Sequence, residues 1–441
     1  MGAGLAEALN SATIFRSRRE RRRRVRRGAS LLGQARSNLN QRDWTALSDF
    51  NLSAIQSPFQ RLREFLGSEQ PGAAPIDMTI GEPRHGFPAF AAEIVTQHSA
   101  LFGKYPPIAG IAPLRQAIAG WLSRRYGLAP GAVDADTHIL PLCGTREGLV
   151  SALTIAVERK GAGRPAVLMP NPFYQAYYAA ALTCRIEPVL LDAGAATGFL
   201  PDLDARDPAL LDRTAAFYLA SPANPQGAVA SEAYLARLIA LAHAHGFYVF
   251  SDECYSEIYQ DAPPPGILEV AARMGGFERV LAFNSLSKRS NAPGLRSGFI
   301  AGDAAFLGDY EKYRNVASPQ VPLPAQHASA ALWADEAHVE QSRALYREKF
   351  EAARQKLGSM PGYYQPAGGF FLWLDLSKFG GGEASAKTIW KGYGVKVLPG
   401  AYLAQPDASG ANPAKNYTRL ALVAPLAQTR EALDRLASFL T

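Results

Sequence analysis

The chain has 441 residues, 48% of them hydrophobic and 19% charged, a balance that suits a globular protein with material for two domains or one large one. No stretch offers 18 uninterrupted apolar residues, and the start lacks an apolar block followed by small residues, so no membrane span or secretory signal is expected and a cytoplasmic location is. The net charge of +7 is local: residues 1–42 hold 11 Arg against 2 Glu, which leaves the remaining 399 residues at −2 and argues against a nucleic-acid-binding body.

Residues 1–45, with "FRSRRERRRRVRRG", read as a basic disordered extension, because a run of like charges cannot bury enough apolar surface to offset its ordering entropy. A transit peptide, a nucleic-acid-binding arm and a later natural start are the competing readings. Residues 46–95 read as an N-terminal arm and part of a smaller domain: from Ser48 to Pro88 come a short amphipathic helix, a Gly-Pro linker and a strand ending at Gly81-Glu82-Pro83. From 96 to 325, short runs rich in Val, Ile, Phe and Tyr alternate with longer helical patterns, the signature of an α/β fold with a mostly parallel sheet flanked by helices. In "HILPLCGTREGL", "PAVLMPNPFYQAY", "AAFYLASPANPQG", "GFYVFSDECYSEIY" and "RVLAFNSLSKRSN" the polar residues fall just past a strand end, where open parallel sheets bind ligands. Residues 326–441, with a long helix over 335–358, then "GGFFLWLDL", "GVKVLPGAYL", "NYTRLALV" and a closing helix, read as a smaller α+β domain. Cys143, Cys184 and Cys254 form no CxxC pair, so reduced thiols and no metal site are expected.

Asn224, Asp252 and Lys288 are spaced by 28 and 36 residues, close to the roughly 30 residues of a βα repeat, so neighbouring strands can bring them together. A lysine on a strand-end turn, an aspartate and a tyrosine three apart, an Asn-Pro pair, a Gly-Thr at a helix start and an arginine eight beyond the lysine suit pyridoxal 5'-phosphate. Lys288 would condense with the aldehyde as a Schiff base and then move the substrate's proton. Asp252 would hold the pyridine nitrogen protonated, although a helix N-cap before "ECYSEIY" is its plainer role. Tyr255 and Asn224 would donate to the phenolic oxygen. Gly144 and Thr145 would hold the phosphate at a helix N-terminus, with Ser285 and Arg296 completing the cup. Tyr174 would stack on the ring. Arg419 introduces an apolar strand, where a charge is costly unless paired, which suggests a substrate carboxylate.

These motifs resemble the class I/II aminotransferases of the aspartate aminotransferase fold, pyridoxal-phosphate-dependent transferases of fold type I, from about Ser48 to the C-terminus. Within that group "GEPRH", "KYPPIAGIAPLRQAI", "CGTREGL", "SDECYSEIY", "SLSKRSNAPGLRSGF" and "LALVAPL" are similar to the bacterial N-succinyldiaminopimelate aminotransferases of lysine and peptidoglycan precursor synthesis. The resemblance implies the same roles for Lys288, Asp252, Asn224, Tyr255, Arg296, Ser285, Gly144, Thr145, Tyr174 and Arg419. It adds Tyr105, which would reach the phosphate of a neighbouring subunit in a homodimer, and Gly81, whose backbone would close over the substrate. Gln226 departs from the threonine common at its place. The implied reaction exchanges an amino group between N-succinyl-LL-2,6-diaminopimelate and 2-oxoglutarate, with Arg84, Arg146 and Arg289 as candidates for the remote carboxylate. Another aminotransferase acting on aspartate, an aromatic or a further dicarboxylic amino acid, and a β-lyase of the same fold, would share every cofactor residue. A transcription regulator with this fold would need a DNA-binding domain, and residues 1–45 are too short and polar for one.

Overall fold

Seven strands form the central sheet, in the order β2-β8-β7-β6-β5-β3-β4. In chain order they are β2 (Ile139–Leu142), β3 (Ala166–Asn171), β4 (Glu187–Asp192), β5 (Thr214–Ala220), β6 (Tyr248–Asp252), β7 (Val280–Ser285) and β8 (Gly298–Gly302), preceded by a short β1 (Ile76–Asp77). The computed structural model describes residues 56–440 apart from 162, 205, 206 and 408; the expected basic extension over 1–45 and the start of the arm at Ser48 lie outside the described residues. β4, β3, β5, β6 and β7 run parallel, whereas β8 is antiparallel to both β7 and β2. Between β7 and β8 the chain forms only the one-turn helix Leu286–Arg289 and a 3-10 turn at Pro293–Leu295. That link is too short to travel back the length of a strand, so the chain returns antiparallel.

Every residue of β6 and β7 is buried, as expected for strands covered on both faces. Leu238, Val249, Trp121 and Trp333 pack on one side, and Leu149, Tyr218, Phe250 and Phe306 on the other. A second sheet of three antiparallel strands follows, in the order β11 (Leu398–Pro399), β12 (Tyr417–Ala421), β9 (Phe371–Asp375), and β1 pairs in parallel with β10 (Val395–Lys396). The long helix is Ala337–Leu357, and the closing helix Leu426–Leu440 packs with it over Leu372, Leu420 and Leu433. The strand expected to end at Gly81-Glu82-Pro83 is only the two residues of β1. Pro83 has no N–H to give a ladder, and the Gly81 carbonyl accepts from a side chain instead.

Candidate active site

The register of the parallel strands aligns Ala220 with Asp252 and Asp252 with Phe283, so β5 and β6 end at one level and β7 runs two residues further, to Ser285. The chain turns there into Asn224, Asp252 and Lys288, and residues distant in sequence line one crevice. The segment after Asp252 forms turns rather than a helix. Asp252 therefore caps no helix, and its Oδ1 accepts from the Cys254 N–H at 3.2 Å. Its Oδ2 accepts from the Tyr177 hydroxyl at 2.7 Å. Burial pushes the Asp252 carboxyl up, while Cys254 and Tyr177 pull it back toward the ionised form. Among the described residues no cation pairs with it.

Lys288 Nζ donates to the Gly81 carbonyl at 2.5 Å and lies 5.4 Å from the centre of the Phe370 ring. Burial pushes its ammonium down to about 8; Arg419 and Arg146 act the same way, and Cys254 and Glu82 oppose them. A Cβ on Gly81 would overlap the Phe371 ring, so only glycine lets this backbone come so close. Tyr255 sits edge-on to both Phe370 and Phe371, and burial raises its phenol well above the usual value.

Arg419, in the middle of β12, is 4% exposed, and its guanidinium lies 4.3 Å from the centre of the Phe371 ring. It donates to Asn224 Oδ1 at 3.0 Å and to the Thr79 carbonyl at 2.7 Å. Its Nε is buried without a partner, and no carboxylate pairs with it among the described residues. Burial lowers its pKa to about 10.

Gly144 and Thr145 open the helix Thr145–Lys160. A Cβ on Gly144 would collide with the Arg296 guanidinium. Arg296 donates to the Cys143 and Pro293 carbonyls at 3.1 and 2.9 Å. The antiparallel return places Gly298 opposite Ser285, and a Cβ at Gly298 would lie 3.4 Å from both the Ser285 Cβ and the Thr145 amide nitrogen. Two glycines therefore let the helix start at Thr145, the Arg296 guanidinium and Ser285 come close together, a donor set of the kind that holds a phosphate, with the Ser285 hydroxyl here bonded to Ser287 and to the Ser297 carbonyl. Tyr174 accepts from Arg146 Nε at 2.6 Å. Tyr105 is wholly exposed, and the structure does not bring it to the other predicted residues.

Arg289 is not in the crevice. It is 1% exposed, and its guanidinium is held by the Leu332 and Asp335 carbonyls and the Glu336 carboxylate, which corrects its candidacy for a remote carboxylate. Tyr177 is the residue that sequence reading missed. It lies three residues beyond Tyr174, one turn along the helix Gln175–Thr183, stacks on Tyr218 at 4.4 Å and holds Asp252. The run "FYQAYY" carried that signal, since positions three apart share a helix face. Replacing Tyr177 with Phe removes a hydrogen bond to a buried carboxylate and should cost about 1.5–3 kcal/mol of stability, measurable by denaturant titration at neutral pH.

The sequence profile of the family described as "Aminotransferase class I and II" matches residues 74–436. The chain belongs to this family. This aminotransferase is similar to a crystal structure of an aminotransferase from Neisseria meningitidis, with 39% identity and a TM-score of 0.82 over 88% of this chain and 98% of that one. It is 31% identical to the probable aminotransferase Rv1178 of Mycobacterium tuberculosis, over 82% of this chain and 80% of the relative. It is 28% identical to an LL-diaminopimelate aminotransferase of Desulforudis audaxviator, over 86% of this chain and 94% of the relative.

Proposed function

We propose that this aminotransferase uses pyridoxal 5'-phosphate to exchange the amino group of N-succinyl-LL-2,6-diaminopimelate with 2-oxoglutarate. The observation that carries the reading is a pair of buried, uncompensated charges. Asp252 has no cation and Arg419 has no anion among the described residues, and such charges are costly to leave alone. A protonated pyridine nitrogen would match Asp252, an α-carboxylate would match Arg419, and a phosphate would match the cradle of Gly144, Thr145, Ser285 and Arg296. The residues therefore fit the cofactor.

When bound, the cofactor supplies an electron sink for the substrate's α-carbon. Lys288 is the group that anchors it and afterwards takes and returns the α-proton, a task suited to an amine whose pKa burial brings to about 8. Asn224, which accepts from Arg419 at 3.0 Å, would couple the carboxylate grip to the phenolic side of the cofactor, to which Tyr255 would also donate. Tyr174 would cover the ring, and the backbone at Gly81 would close over the substrate. The same proposal takes the enzyme as a homodimer in which Tyr105 serves the site of the second copy. It also takes residues 96–325 as the cofactor-holding domain, 326–441 with part of 46–95 as the smaller one, and the cytoplasm as its location. Among the described residues no helix is long and apolar enough to cross a membrane.

The choice of substrate rests on the "GEPRH" to "LALVAPL" motif set and on relatives named for the parent diamine, LL-diaminopimelate. Arg146 and Arg84 remain the cations available for a remote carboxylate. The test is a half-reaction panel with succinyldiaminopimelate, diaminopimelate, aspartate, glutamate and an aromatic amino acid. At least tenfold preference for the succinylated compound is expected, roughly 1.4 kcal/mol of discrimination. Preference for another amino acid would move the enzyme to that substrate, and release of pyruvate and ammonia would make it a β-lyase. Across the whole panel, Arg419→Leu should lose about 2–5 kcal/mol of carboxylate recognition, or roughly 30-fold to several thousand-fold in kcat/KM. An unchanged kcat/KM would remove Arg419 from the substrate site.

A further inference from the structure

The residues after Lys288 are locked from behind the crevice. Ser290 is wholly buried, and its Oγ lies 3.4 Å from Arg289 Nη1 and 2.8 Å from His338 Nε2. His338 Nδ1 lies 2.5 Å from Asp335 Oδ2, and the Asp335 main-chain carbonyl accepts from Arg289 Nη2 at 3.1 Å. The four residues therefore close a ring. Its direction follows from donor chemistry: Arg289 donates to Ser290, Ser290 donates to Nε2, and Nδ1–H donates to Asp335. The neutral imidazole with its proton on Nδ1 satisfies every link while leaving a single cation at the serine oxygen. A second proton on Nε2 would point two cations at one serine oxygen.

The surroundings favour that neutral form. Burial lowers the imidazole's pKa, Arg289 adds to the effect and Asp335 opposes it. Arg289 is itself fixed by Glu336 at 2.6 Å and by the Trp121 and Trp333 rings, whose centres lie 5.6 and 5.0 Å away. Phe90 meets the imidazole edge-on at 5.9 Å. Across a cleft of about 400 Å3, through which solvent reaches the ring, the facing groups are His85, Asn291, Gln341 and Ser342. Of these only His85 titrates, and burial beside Lys349 pushes it down to about 4, so it is uncharged at neutral pH.

We propose that His338 is a positioning residue for Lys288: through Ser290, with Arg289 and Asp335 closing the ring, it fixes the one-turn helix that aims the lysine at its crevice. It touches neither substrate nor cofactor. This inference rests on Lys288 being the cofactor's anchor, and the test separates the two. Absorbance of the bound cofactor is titrated against pH in the full-length holoenzyme, alongside kcat and KM, for wild type, Ser290→Ala, His338→Ala, the double variant and His338→Gln.

Each single alanine variant should move the titration midpoint by at least about half a pH unit and lower kcat several-fold with KM little changed. The double variant should do no more than one alone, because the two residues act as one unit. His338→Gln, which keeps an acceptor for Ser290, should recover most of the loss. An unmoved midpoint in folded Ser290→Ala, or glutamine no better than alanine, overturns the clamp while leaving the anchor intact. Should His338→Ala fail to fold, Ser290→Ala and His338→Gln decide alone. A wild-type spectrum that Lys288→Ala leaves unaltered defeats the anchor and the clamp together.

Discussion

Lys288→Ala should abolish amino transfer, with a fall of at least about four orders of magnitude in turnover, because it deletes both an attachment point and a proton carrier. The cofactor should no longer stay covalently attached after borohydride reduction and denaturation. The fold should survive, and the cofactor-free variant should be more stable than wild type at pH 7. The sign follows from linkage. Burial holds the folded-state pKa near 8 against an ordinary 10.5, so between those values the unfolded chain binds more protons and wild-type stability rises with pH. Below pH 8 wild type bears the whole cost, up to about 3 kcal/mol. The advantage of Lys288→Ala should therefore shrink as pH climbs from 8 to 10.5, as denaturant melts at several pH values would read. Turnover kept within tenfold of wild type would end the assignment of Lys288.

Asp252→Asn should come next in severity. An amide in place of the carboxylate keeps the shape and a hydrogen bond but loses the charge that matches a protonated pyridine nitrogen. Loss of a preorganised electrostatic partner of this kind typically costs about 10²–10³ in turnover. Binding of the cofactor should persist through Lys288 and the phosphate cradle, so the variant should hold cofactor and fail at chemistry. The stability change has the opposite sign to the activity change. Burial penalises the ionised carboxylate, and the neutral amide escapes that penalty, so the cofactor-free Asp252→Asn protein should melt no lower than wild type. A variant that loses cofactor and stability together would make Asp252 a packing residue.

Much of this site was legible because strand ends are legible. Asp252 and Ser285 close β6 and β7, and the apolar runs before them announce those strands without any structure. The spacing of Lys288 and Arg296 also put both cations on one short stretch of chain. What it did not announce was the reversal of β8, which depends on how little chain the 286–297 link has left after its two short turns. Arg289 misled for a physical reason. Nothing local says that Trp121 and Trp333, far away in sequence, build an apolar wall behind the lysine and draw the guanidinium inward. Tyr177 was hidden beside two other tyrosines of "NPFYQAYYAAAL", and only the packing of its helix against Tyr218 reveals which of them reaches the aspartate. Tyr105 stays wholly exposed, outside the assembled site.

The pairing of Ser285 with Gly298 has a consequence for how this protein tolerates change in length. Lysine, serine and arginine are carried on one closed loop whose two ends are stitched into adjacent strands. Side chains alternate faces along a strand, so removing or adding one residue within 286–297 cannot be absorbed by sliding without turning Gly298 and its neighbours to the opposite face. Substitution can vary the chemistry of this loop, but its residue count is fixed by the sheet on both sides.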